Sequence, residues 1–63
     1  MMELTFKYGQ EVVDTITGFT GKVTGFCHYY YKEQDQYRVE GIDNTGRPIE
    51  DWITVYRLKP LVE

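Results

Sequence analysis

The chain has 63 residues and a formal net charge of −3, from seven Lys and Arg against ten Asp and Glu, which leaves room for one domain spanning 1–63 with a thin core. A deep, water-excluding active site is hard to build in one copy of that size, and the acidic balance disfavours a nucleic-acid partner. The 41% hydrophobic and 16% aromatic shares exclude a disordered chain, and no stretch approaches the ~20 apolar residues of a membrane span.

The opening Met1-Met2-Glu3-Leu4 lacks a basic region followed by an apolar run, so no secretory signal is expected. The first predicted strand is 10–14, where Val12 and Val13 precede the turn cluster Thr15-Ile16-Thr17-Gly18. The longest β-like run is 21–31, filled with β-branched and aromatic residues and carrying Gly25 inside it. A glycine within a strand marks a bulge or a barrel corner, so a bend is expected at Gly25. Residues 32–35 are polar and read as a hairpin loop. The next strand, 36–42, alternates Tyr37 and Val39 on one face with Arg38 and Glu40 on the other. Asp43-Asn44-Thr45-Gly46 is a tight-turn sequence. Pro48 restarts the chain before a strand over 49–54 centred on Trp52, and Val55-Tyr56-Arg57 predicts a short 3₁₀ turn before 58–62 closes the sheet. Short strands at this spacing imply a small all-β barrel or sandwich. Its expected core is Val12, Val23, Val39, Ile53 and Leu58, with Phe6 and Phe19 plugging the two ends. Gly9, Gly18 and Gly21 bracket the first strand as turn residues.

The run Phe6-x-x-Gly9-x-x-Val12-x-Asp14-x-x-Thr17-Gly18-Phe19-x-Gly21-x-Val23 resembles the opening of small SH3-like barrel proteins encoded by phages and prophages. Tyr37-x-Val39 and the tail Trp52-(x)4-Arg57-Leu58 extend the resemblance over nearly the whole chain. The resemblance implies a five-stranded SH3-like barrel, with host-takeover or anti-defence inhibition as a role. The pattern is also similar to plasmid-encoded type II dihydrofolate reductases, which share the barrel and act as tetramers around a pore lined by a Val-Gln-Ile-Tyr stretch. Here that stretch reads Ile49-Glu50-Asp51-Trp52, so the pore glutamine is absent.

No catalytic constellation is expected. Cys27 and His28 are adjacent on a predicted strand and point to opposite faces, so they do not pair within one chain. Cys27 is read as a small buried hydrophobe, and a lone cysteine makes neither an internal disulfide nor a zinc site, in keeping with a reducing cytoplasm. Glu50 and Asp51 likewise face opposite ways, without a third ligand nearby for a metal. Arg57 is read as a salt-bridge partner of Asp14 or Glu50 that ties down the closing turn. No phosphate-cradling glycine loop, cofactor or metal is expected.

The aromatic excess is the more informative feature. Six tyrosines, three phenylalanines and one tryptophan exceed what so small a barrel encloses, so some rings are expected outside, where Tyr and Trp suit an interface. If Val23, Gly25, Cys27 and Tyr29 face inward, Phe26, His28 and Tyr30 share the outer face; the reversed register also displays large rings. The expected partner-binding or oligomer interface is therefore Phe26, His28, Tyr30, Arg38, Trp52 and Tyr56. The expected function is non-enzymatic: a protein-binding module that acts by occluding a surface, which the phage-type resemblance implies to be that of a host or defence protein it inhibits or modulates. A homodimer or higher homo-oligomer is expected through the long strand. The alternatives are a divergent reductase-like oligomer using NADPH and a nucleic-acid-binding barrel; no membrane partner is expected.

Overall fold

The computed structural model describes residues 5–29 and 34–61. Five strands form one antiparallel sheet: β1 (Glu11–Asp14), β2 (Thr20–Cys27), β3 (Gln36–Ile42), β4 (Pro48–Thr54) and β5 (Leu58–Pro60). A 3₁₀ turn, Val55–Arg57, joins β4 to β5. The order across the sheet is β4-β3-β2-β1-β5, so β4 and β5 are its two edges although they are consecutive in sequence. Among the described residues no helix is long and apolar enough to cross a membrane.

Period-2 patterning produces this arrangement. Val12, Val23, Val39, Ile53 and Leu58 are all buried, one from each strand, and Phe6 joins them. Phe19, Phe26 and Val55 pack around the margin. Tyr37 completes the core at 1% exposure, its ring edge-on to Phe6 (centroids 5.2 Å apart, 81°) and tilted against Phe26 (5.1 Å). A buried phenol needs a partner for its oxygen. Here the oxygen accepts the Thr5 N–H at 2.8 Å and the Phe6 N–H at 3.3 Å, which fastens the segment before β1 to the core.

The expected bend lies where Gly25 predicts it. Val23 pairs with Val39 and Gly25 with Arg38, which leaves Thr24 without an opposite residue. This is a β-bulge: one extra residue that resets the strand's alternation. Gly21 has an ordinary φ, unlike the left-handed Gly9, Gly18 and Gly46, so the expectation that it serves a turn is corrected. It pairs directly with Gly41, and a Cβ on Gly21 would overlap the Glu40 carbonyl oxygen. A Cβ on Gly41 would overlap the Thr20 carbonyl and press on the Phe19 ring at 3.1 Å. The two glycines let the chains approach closely and let Phe19 close that end of the core.

Beside Phe19 a single carboxylate organises the chain, the Asp14 N–H donating to the Phe19 carbonyl at 2.8 Å. Asp14 is 2% exposed. It accepts hydrogen bonds from Arg57 Nε (3.2 Å) and Nη2 (2.5 Å), from the Ile16 N–H (2.9 Å) and from the Thr17 hydroxyl (2.8 Å). The Thr15 N–H donates to the Arg57 carbonyl at 2.7 Å. The β1–β2 turn and the 3₁₀ turn are thus locked together, and Asp14, rather than Glu50, is the partner of Arg57. These contacts, led by the Arg57 hydrogen bond and opposed by burial, hold the Asp14 carboxyl down from 3.8 to about 2.

Both sheet edges carry devices that resist pairing with another strand. β4 bears Pro48, Glu50 and Asp51, all exposed, and β5 is three residues long and contains Lys59 and Pro60.

Replacing Asp14 by Ala leaves the Arg57 guanidinium and two turn donors without their acceptor, and is expected to cost about 3 kcal/mol in urea unfolding followed by circular dichroism. Because the folded carboxyl titrates below the unfolded one, its contribution is complete above 3.8 and is lost as pH falls toward 2. The stability gap between wild type and Asp14→Asn should close over that window, and a gap that persists at pH 2 contradicts the assignment. Gly41→Ala is expected to cost about 1–3 kcal/mol through overpacking, measured by the same unfolding midpoint.

Candidate functional site

The bulge decides which residues share a face. Val23 points inward, and after the extra Thr24 so does Phe26, opposite buried Tyr37. Gly25 and Cys27 therefore lie on the outer face with their partners Arg38 and Gln36. The expectation that Gly25 and Cys27 face inward is corrected, as is the reading of Cys27 as a buried hydrophobe: the thiol is half-buried in the outer row with Gln36. Neither simple register survives, because the alternation changes phase within the strand.

The interface candidates separate accordingly. Phe26 packs on the core margin against Tyr37 and stacks on His28 (centroids 6.5 Å apart, 15°). His28 follows the end of β2, and its Nδ1–H donates to Asp35 Oδ1 at 2.7 Å across the base of the β2–β3 hairpin. Tyr30 lies outside the described residues. Arg38 and Trp52 are direct cross-strand partners on the outer face. Tyr56 stands on the 3₁₀ turn at 77% exposure. The five described residues thus form three groups: a core-margin stack, an outer-face pair and an isolated exposed tyrosine.

The outer-face pair is the most highly organised. The Arg38 guanidinium lies 5.8 Å from the Trp52 ring centroid, within cation–π range. It is fixed from the other side by the bulge: Nε–H donates to Thr24 Oγ1 at 3.1 Å and Nη2–H to the Thr24 carbonyl at 3.0 Å. The carbonyl that the bulge removes from the ladder is thereby satisfied by a side chain. Gly25 leaves the space this needs, since a Cβ there would stand 3.1 Å from Arg38 Cβ and 3.3 Å from the Trp52 ring. Trp52 remains 45% exposed, so a large flat ring is presented in a fixed pose. Around it, the outer face holds Glu40 opposite Glu50, and Lys22 between Glu11 and Glu40. Arg38 Nε is 3.8 Å from Glu40 Oε2.

Cys27 lies in the outer row beside Gln36 while His28 pairs with Asp35, and among the described residues no group of three His, Cys, Asp or Glu side chains could hold a metal. Sequence patterning did not single out Thr24 as the residue that orients Arg38; Gly25 was its only signal. Phe26→Ala is expected to cost about 2–3 kcal/mol in urea unfolding, and Trp52→Ala at most about half of that, because its outer surface is already wet. Equal costs would place both rings in the core. No protein-family model, curated protein or solved structure matches this chain.

Proposed function

We propose that the protein is a non-enzymatic binding module that docks another protein through its outer face, with Trp52 as the anchor and Arg38 as its support. The observation that carries this reading is the immobilised, half-exposed indole: Arg38 and Gly25 hold it in place, so little side-chain freedom is lost on contact. Tyr56, largely exposed on the 3₁₀ turn, offers a second contact with a polar tip. The fold is read as an SH3-like barrel. That reading is supported by β1 lying between β2 and β5, by the 3₁₀ turn between β4 and β5, and by a core drawn from all five strands.

The resemblance to phage and prophage barrels adds the role: an inhibitor or modulator in the cytoplasm that blocks a surface of a host or defence protein. Strand-edge dimerisation is disfavoured by Pro48, Glu50, Asp51 and Pro60, so any homo-oligomer is formed face to face. The test is to capture partners on the tagged chain, identify the dominant one, and measure its affinity for Trp52→Ala, Arg38→Ala and wild type. Trp52→Ala should weaken binding by about 2 kcal/mol or more, with the far-ultraviolet circular dichroism unchanged. Unaltered affinity in Trp52→Ala, or turnover of dihydrofolate with NADPH by the purified chain, overturns the reading.

A further inference from the structure

The outer face contains a charge imbalance at a defined place. Its rows put Glu11, Lys22, Glu40 and Glu50 side by side across β1, β2, β3 and β4. With Arg38 on the neighbouring row, three carboxylates stand against two cations. Glu40 is approached by Arg38, whereas Glu50 makes no ion pair among the described residues. Like charges directly opposite on a sheet, with Cβ atoms about 5 Å apart, destabilise it.

Two open depressions share Glu40, and one of them reaches Glu50. One of about 360 Å³ runs between β2 and β3, bordered by Glu11, Lys22, Glu40 and Ile42. The other, of about 170 Å³, runs between β3 and β4, bordered by Glu40, Pro48, Ile49 and Glu50. Both include Gly41. Apolar borders are supplied by Ile42, 66% exposed, and by its cross-strand partner Pro48. Apolar walls beside an unpaired carboxylate match a long side chain with an aliphatic stem and a cationic head.

We propose that this groove receives a basic segment of the partner protein, with one Lys or Arg head between Glu40 and Glu50 and its stem along Ile42 and Pro48. The inference rests on the outer-face docking reading and names the chemistry of the partner. It is tested on the full chain by following the fluorescence of Trp52, the only tryptophan, two residues from Glu50 on the same face. The probes are a blocked nonapeptide of alternating Lys and Val and its Glu-for-Lys counterpart. The Lys peptide should give a saturable change that weakens as ionic strength rises from about 0.05 to 0.5 M, and the Glu peptide none. Glu50→Gln should weaken the Lys peptide about tenfold without lowering the unfolding midpoint, since it removes a repulsion. Equal response to both peptides, or undiminished binding by Glu50→Gln, overturns the inference. If a captured partner is lost by Trp52→Ala but kept in full by Glu50→Gln, this inference alone fails; if Trp52→Ala keeps it, the underlying docking reading fails.

Discussion

One inserted residue, Thr24, sets the geometry of both faces of the sheet. If Thr24 took an ordinary place in the ladder, the alternation of β2 would carry Phe26 outward and Gly25 inward, and the core would lose the ring that covers Tyr37. With it, Val23 and Phe26 both serve the interior while Gly25 opens a space on the opposite side for Arg38 and Trp52. The unpaired carbonyl that a bulge creates becomes an acceptor for the guanidinium. Core packing and the presentation of the indole therefore have a common origin in a local register shift.

The polar half of the fold is organised by a different principle. So short a chain cannot hold its turns by apolar burial alone. It uses buried or sheltered oxygen atoms as collection points for donors. Asp14 gathers Arg57, Ile16 and Thr17 at one end, and the Tyr37 phenol gathers the Thr5 and Phe6 amides on the interior side. Asp43 does the same on a small scale in the β3–β4 turn, accepting from the Thr45 amide and hydroxyl and from the Arg47 amide. Its carboxyl is lowered by these contacts, the Thr45 hydroxyl foremost. Each acceptor joins segments that the sheet ladder alone leaves loose.

Much of the fold was legible because its signals are local. The alternation of Tyr37 and Val39 against Arg38 and Glu40 places β3 over the same residues in sequence and structure, and Val55-Tyr56-Arg57 forms the expected 3₁₀ turn. The pairing of Arg57 with Asp14 was open between two acceptors, because which carboxylate lies near depends on how β1 meets β5. The phase of β2 beyond Gly25 was not legible: a bulge is announced by its glycine, but which neighbouring residue is the extra one depends on the partner strand. That is why Cys27 falls on the face opposite to the one simple alternation gives it, and why Phe26 turns from the outer face to the margin of the core. Gly21 was misread for a related reason. Turn glycines and close-contact glycines look alike until the opposing strand, here with Gly41, is in place.

The blunted margins of the sheet bear on how such a chain behaves in a crowded cell. A small β protein made in quantity risks templating endless ladder growth from its open rims. Proline and carboxylates on β4, together with a three-residue β5 that ends in proline, remove the continuous run of donors and acceptors that such growth requires. The outer face, with Trp52 45% exposed, is then left as the broad open surface of the sheet.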